Sequence, residues 1–324
     1  MTLKFRIFGI PLGGAKAGIV ADPASPEKER HIRAFARLAS PLLKEIYIAG
    51  EDLGTTARDV NLIYREAGCS WFDMMAKRMG DKIEAQGLSL DELKNLQPTD
   101  LQGINLEEML TGFGLAEVAK EAAAALDLDP TKSRVSIQGF GTVGGTAAQY
   151  LAGKGFRVVV VADVEGVIYR EDGLPVEELL AARDELGTID REKLTFEFES
   201  LPHEEWLSLE VEVLVPAAVS EAINEGNVEK ISPNVKLIIE GANMPTTEEA
   251  ERELFKRAVV VIPDFIANAG AACGFGMLLT LQVPPEPARV LGELSKRLRE
   301  VTRNVLKGSF EQGRTPRQVA EELA

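Results

Sequence analysis

Short apolar runs alternate with amphipathic stretches along the second half of this chain, switching between a period of two and one near 3.6. Val135 and Ile137 alternate with polar neighbours and lead into a glycine turn, Gly139-Phe140-Gly141-Thr142-Val143-Gly144. An alanine-rich helical stretch follows, and then residues 157–162, dense in β-branched side chains, end on Asp163. Strand-like runs recur at 212–215, 235–239 and 258–262. Helical segments separate them, one opening on the capping-box pattern Thr246-x-x-Glu249. Apolar strands without clean alternation, spaced by helices, predict a parallel sheet covered on both faces. After residues 284–287, Leu291, Leu294, Leu298, Val301 and Val305 share one stripe of a helix that must pack on something.

The first half is less regular. Residues 3–10 alternate loosely as a strand and enter the turn Gly13-Gly14-Ala15-Lys16-Ala17-Gly18. Residues 26–46 read as a helix, with Ser25 as N-cap, Pro26 at its first position, and Ile32, Phe35 and Leu38 on one face. A short strand at 45–48 meets residues 50–56, and Thr56 with Asp59 caps a helix running through Tyr64. Residues 68–110 show a mixed helical pattern and no catalytic motif. A helix over 115–126 and a turn over 127–133 lead to the glycine turn.

Strand, glycine turn, helix and strand, with an acid 19 positions after the third glycine, form a dinucleotide fingerprint. Gly139 lets the chain turn sharply, Gly141 lets backbone approach a pyrophosphate, and Gly144 lets helix and strand pack closely. The helix N-terminus, with Thr142 and Val143 in its first turn, offers free N–H groups to the phosphates. Asp163 and Glu165 lie where an acid accepts from the ribose hydroxyls and repels a 2′-phosphate, so NAD is favoured over NADP. This half therefore reads as an α/β, Rossmann-type doubly wound dinucleotide domain.

Composition narrows the partners. A length of 324 residues suggests two domains, and 45% apolar with 27% charged residues suits a globular chain. A net charge of −15 argues against a nucleic-acid or anionic-membrane surface. Two cysteines, Cys69 and Cys273, and two histidines, His31 and His203, stand in unrelated contexts, so neither a disulfide framework nor a metal site is expected. No apolar run approaches the roughly 18–20 residues of a membrane span, and the first residues lack a signal-peptide pattern. A cytoplasmic setting is expected.

Lys16 sits among small residues that would let a ligand come close, yet the phosphate-loop pattern is not matched. Alone it reads equally well as a solvated turn lysine. Asp52 alone reads as a turn former before Gly54-Thr55. Together with other segments they carry a resemblance to the glutamate/leucine/phenylalanine/valine dehydrogenase family along nearly the whole chain. Met1-Thr-Leu-Lys4 followed by Pro11-Leu-Gly13-Gly14-Ala-Lys16-Ala-Gly18 resembles that family's two-lysine substrate segment. Tyr47-Ile-Ala-Gly-Glu-Asp52-Leu-Gly-Thr-Thr56 is similar to its catalytic-aspartate segment. Thr111-Gly-Phe113-Gly114 sits where the family has Thr-Gly-Arg-Gly, and Leu214-Val-Pro216-Ala217-Ala218 resembles a cofactor-side strand end. Glu240-Gly-Ala-Asn243-Met-Pro-Thr-Thr247 and Pro263-Asp-Phe-Ile-Ala-Asn268-Ala-Gly270 look like the two asparagine elements around the nicotinamide.

The resemblance implies reversible oxidative deamination of an L-amino acid to a 2-oxo acid and ammonia with NAD or NADP. It assigns the substrate α-carboxylate to Lys4, with Gly13 and Gly14 alongside, water activation to Lys16, and proton shuttling to Asp52. Thr111, Pro216, Ala217, Asn243 and Asn268 join Gly139, Gly141, Thr142, Val143, Gly144, Asp163 and Glu165 on the cofactor side. A lysine serves as base near neutrality only when burial or a neighbouring cation lowers its pKa, which Asp52 would oppose. The implied organisation is a smaller α/β substrate domain over 1–115, the dinucleotide domain over 116–275, and C-terminal helices over 276–324 packing back toward the substrate domain. A cleft lies between the two domains in that picture.

Four departures qualify the match. The chain begins at the Lys4 segment, whereas family members usually carry a further N-terminal segment with oligomer contacts and another substrate-side lysine. Phe113 replaces the arginine, Ala17 replaces a glycine, and Phe275 stands where glutamate-specific members commonly offer a serine. Glutamate is the substrate the resemblance favours. Ala272 and Phe275 offer its side-chain carboxylate no polar partner, so an apolar amino acid such as leucine or valine is expected to compete. Two readings stay open: an active dehydrogenase, favoured by Lys4, Lys16 and Asp52, or an impaired paralogue acting as a nucleotide-binding or regulatory subunit. A homo-oligomer, or pairing with a full-length paralogue, is expected in either case.

Overall fold

Seven strands form one sheet in the order β4-β3-β2-β1-β5-β6-β7. The computed structural model describes residues 1–50, 52, 54–70, 106–184, 186–284 and 286–324. The strands are β1 (Arg134–Gln138), β2 (Arg157–Asp163), β3 (Gly166–Tyr169), β4 (Glu199–Leu201), β5 (Val213–Pro216), β6 (Leu237–Ile239) and β7 (Val260–Ile262). The described helices of four residues or more that are not of 3-10 type are numbered in chain order. They are α1 (Thr2–Ile7), α2 (Lys28–Glu45), α3 (Ala57–Ala67), α4 (Leu106–Ala125), α5 (Thr142–Gly153) and α6 (Val176–Ala182). After them come α7 (Glu248–Lys256), α8 (Asp264–Ala267), α9 (Gly270–Leu279), α10 (Pro287–Gln312) and α11 (Pro316–Leu323). The chain divides into two compact units, Met1–Leu12 with Pro98–Ala324, and Gly13–Gln97.

The larger unit holds the sheet. β2, β1, β5, β6 and β7 are parallel, as the unbroken apolar runs predicted. Val158, Val159, Val160, Val161 and Ala162 are all at most 2% exposed, so both faces of β2 are covered. One face packs Val160, Leu214 and Ile238 on Trp206, Leu254 and Val228. The expectation of an all-parallel sheet needs one correction, because β3 and β4 extend the β2 edge in antiparallel fashion. A two-residue turn, Val164-Glu165, links β2 to β3, and the short β3 run left no separate trace in the sequence pattern.

Two other expectations change here. Residues 3–10 hold most of α1 and the turn after it rather than a strand, since Phe5 and Ile10 pack against the bare backbone of Gly276 in α9. A loose alternation over so few residues fits either period, and tertiary packing decided. The cap of α7 is Thr247, whose hydroxyl accepts the Ala250 N–H at 3.3 Å, one residue later than the capping-box pattern suggested. The stripe on α10 holds in part: Val290, Leu294, Leu298 and Val305 are buried, while Leu291 and Val301 sit at its margins.

In the smaller unit α2 packs on α3 through Ile32, Ala36, Leu43, Leu62, Ile63 and Ala67. Arg33 and Arg37 both pair with Glu66 across these helices. The helix starts at Lys28, two residues beyond Pro26, with the Ser25 hydroxyl accepting the Glu27 N–H. The expected strand at 45–48 is instead the end of α2 and a coil, pinned by Tyr64, which accepts from the Ala49 N–H and donates to the Ala49 carbonyl. Thr56 and Asp59 form the full capping box on α3.

Candidate cofactor and catalytic sites

The glycine turn leaves the carboxyl end of β1, between β2 and β5, where the strand order reverses. Ligands of open α/β sheets bind at such a switch point. Gly139 has φ +89° and its missing Cβ would stand 2.7 Å from the Ala218 Cβ. A Cβ on Gly144 would lie 1.9 Å from the Gly139 carbonyl oxygen. Both are glycines because the fold itself requires them. Gly141 differs: its φ is −68°, and a Cβ there would meet nothing nearer than the Leu186 carbonyl oxygen at 4.0 Å. No side chain caps α5, so no capping group takes the N–H groups of its first turn, at Thr142, Val143 and Gly144. Arg183 adds a cation, donating to the Gly141 carbonyl at 2.8 Å.

Neighbouring strand ends converge on this turn. Gly139 donates to the Ala162 carbonyl, and Ala217, just past β5, donates to the Gln138 carbonyl. Pro216 accepts the N–H groups of both Gly241 and Ala242, each at 2.9 Å. Buried Asn268 donates through Nδ2 to the carbonyls of Gly241 and Ala242 and to Asn243 Oδ1, each at 3.1 Å. Lys4 Nζ lies 3.4 Å from the same Asn243 oxygen. The two asparagine segments and Lys4 thus meet at one place. Thr111 lies within α4, where the glycines after it permit close packing: a Cβ on Gly112 would strike Thr146 of α5, and one on Gly114 would crowd Gly270 of α9. Phe113 stacks edge-on against Tyr150 of α5, ring centroids 5.5 Å apart.

Asp163 and Glu165 have different surroundings. Asp163 accepts from the Arg191 guanidinium through both oxygens, from the Glu165 N–H at 2.9 Å and from the Ile189 N–H at 2.8 Å. Those four bonds fill the acceptor sites of a carboxylate, and its side chain is only 3% exposed. Burial works against its charged form, yet Arg191 and the two N–H groups outweigh burial and hold the carboxyl below its ordinary range. Glu165 is 59% exposed at the turn beyond β2, 3.5 Å from Arg191. Arg191 and Arg183 had no signal in the sequence, since neither lies at a motif spacing from its partner.

In the smaller unit, Gly13, Gly14 and Lys16 lie in an open coil without regular structure. Lys16 Nζ donates to Asp52 Oδ2, an ion pair with both side chains at least half exposed. Asp52 is held by a turn in which the Thr55 hydroxyl accepts its N–H at 2.9 Å and donates to its carbonyl at 2.8 Å. The next residue, Thr56, caps α3, so a helix start fixes the aspartate's turn. Among the described residues no helix is long and apolar enough to cross a membrane.

A family model described as Glutamate/Leucine/Phenylalanine/Valine dehydrogenase matches residues 103–324, and one described as Glu/Leu/Phe/Val dehydrogenase, dimerisation domain, matches residues 1–68. The chain is 37% identical over 273 residues to a glutamate dehydrogenase of Thermotoga maritima, covering 83% of this chain and 61% of that protein. It is 34% identical to an NADP(+)-dependent glutamate dehydrogenase of Pyrobaculum calidifontis (83% and 62%) and 32% identical to an NAD-specific glutamate dehydrogenase of Staphylococcus aureus (83% and 61%). The chain spans about three fifths of the length of these relatives. Its fold matches the hetero-hexameric glutamate dehydrogenase of Thermus thermophilus in a Leu-bound form, with TM-score 0.78 and 28% identity, covering 100% of this chain and 74% of that one.

Proposed function

The chain belongs to the Glu/Leu/Phe/Val dehydrogenase family, and from that premise we propose that it catalyses NAD(P)-linked, reversible oxidative deamination of an L-amino acid to a 2-oxo acid and ammonia. Gly141 is the observation that carries the reading. The fold does not need a glycine there, whereas a pyrophosphate seated on the first turn of α5 would. A bound nicotinamide dinucleotide supplies the hydride acceptor. In this reading the N–H groups of Thr142, Val143 and Gly144 take the phosphates, and Asn243 and Asn268 flank the nicotinamide end. Lys4 takes the substrate carboxylate beside Asn243, Lys16 draws a proton from water, and Asp52 exchanges protons with the amino group.

NAD is our choice of nucleotide. Arg191, the nearby cation a 2′-phosphate would seek, is already held by Asp163, and exposed Glu165 would repel that phosphate. Glutamate is proposed as substrate on the names of the relatives, with weak selectivity over leucine and valine, because Ala272 and Phe275 of α9 are apolar. An oligomer is proposed as well. The match to a dimerisation model supports it, as do exposed Leu38 and Leu42 of α2 and Ile46 at its C-terminal cap, spaced four apart.

The test is direct. NAD should raise the melting temperature of the protein, and glutamate should drive NADH formation. Gly141→Ala should keep the fold yet weaken NAD about tenfold or more, the usual penalty of an inserted methyl. Protein that folds and binds NAD but forms no NADH with glutamate, leucine or valine would refute the activity. Absence of binding by either nucleotide would refute the cofactor site.

A further inference from the structure

Arg317 is the second residue of α11, far along the chain from the cofactor-side segments, yet its guanidinium points at the strand ends. Nη2 donates to Glu240 Oε2 at 2.7 Å, Nε to Glu251 Oε2 at 2.6 Å, and Nη1 lies 3.4 Å from Asp264 Oδ1. The three carboxylates come from the residue just past β6, from α7 and from the first residue of α8. Glu240 is fully buried, and among the described residues its Oε1 has no hydrogen-bond partner. One cation serving three acids in a nearly dry site is a weak way to stabilise a fold. It is an effective way to set where the groups bonded to those acids lie.

Those groups lead to the asparagines. Glu240 Oε2 also accepts the Asp264 N–H at 2.8 Å, which fixes the start of α8, the helix that Asn268 terminates. Asp264 Oδ2 accepts the Met244 N–H at 3.2 Å, which fixes the far side of the turn that bears Asn243. Met244 has φ +47°, a strained conformation for a residue with a side chain, so the turn needs outside support. Asn268 then ties the near side of that turn through Gly241, Ala242 and Asn243. Backbone bonds to Pro216 and Glu221 and the Ser220 hydroxyl also hold the turn, and its ties to α8 pass through a carboxylate that Arg317 holds or through Asn268 itself.

We propose that Arg317 is a positioning residue: from α11 it sets the carboxylates that hold the 240–244 turn and α8, and so aligns Asn243 and Asn268 for the nicotinamide end of the dinucleotide. The inference rests on the cofactor reading above and adds a residue to it. Its signature is selective. In that reading the phosphates and adenosine would be held at the β1 and β2 ends, away from this cluster. Loss of Arg317 therefore weakens binding of NAD but not of ADP-ribose, which lacks the nicotinamide.

Binding of NAD and of ADP-ribose to the full chain, measured by titration calorimetry, tests this. Arg317→Met should weaken NAD about tenfold, within the range of couplings between groups that share a network, and leave ADP-ribose unchanged. Arg317→Lys, which keeps the charge but loses the planar fork, should show the same split at smaller size. Asp264→Asn provides an independent variant with the same expected split should Arg317→Met fold poorly. Equal weakening of both ligands, or none, overturns the proposal. Wild-type protein that binds ADP-ribose as tightly as NAD refutes the nicotinamide reading itself, and the inference falls with it; that outcome is visible before any variant is made.

Discussion

Lys16 and Asp52 form an ion pair that is largely in water, and exposed pairs contribute only about 0–1 kcal/mol to stability. Replacing either should leave the fold intact, so a change in turnover reports chemistry. Lys16→Ala and Asp52→Asn should each lower the steady-state rate of amino-acid-dependent NADH formation about a hundredfold to ten-thousandfold, the usual worth of a positioned acid–base group. NAD affinity should stay nearly constant. Near-normal rates in both variants would remove these residues from the mechanism. Asp163 and Glu165 divide differently, since one is saturated by Arg191 and the other is exposed. Glu165→Gln should shift the ratio of NADP to NAD dissociation constants roughly fivefold in favour of NADP, the effect of one charge at short range in water. Asp163→Asn should instead lower the melting temperature, because it leaves the half-buried Arg191 beside a weaker partner. An unchanged ratio in Glu165→Gln would show that this acid does not face the ribose.

Helix ends and strand ends carry the next level of organisation. The first turn of α5 is open because Gly141 offers no capping side chain, and the strand ends of β1, β5 and β6 are joined by backbone bonds around it. At the β6 end, burial pushes the Glu240 carboxyl up to about 7; Arg317 of α11 opposes the rise, while Asp264 of α8 and Glu251 of α7 add to it. The ordinary value is 4.5, so between there and about 7 the folded chain binds a proton that the unfolded chain has released. This contribution to stability is therefore complete below the lower value, declines as pH rises, and is exhausted above the upper one. Glu240→Gln lacks the titration. Its melting temperature, compared with wild type from about pH 5 to about pH 8, should gain steadily on the wild type as pH rises. A constant difference would mean that Glu240 does not change its protonation across that range.

For the whole molecule, periodicity and turn chemistry carried the parallel core strands, the helices over α2, α3, α4 and α10, and the fingerprint at 139–144, because each is a local pattern only a few residues long. The alternation of Val135 and Ile137, the glycines after them and the acid that ends β2 are legible without knowing where any other segment lies. The Thr56 and Asp59 cap is equally local, and residues 71–105, illegible as sequence, lie outside the described structure. Only the tertiary structure decided that α1 forms against α9 where a strand was expected over 3–10, since a short loose alternation suits both helix and strand until a neighbour chooses. It alone added the antiparallel β3 and β4 to the sheet edge. It alone gave Arg191 to Asp163, separated the glycines that the fold needs from the one it does not, and brought Arg317 to three acids from distant segments. Local pattern governs backbone conformation through short-range sterics and capping, whereas the partner of a buried charge is set by which distant segments share a dry space, and no spacing along the chain records that.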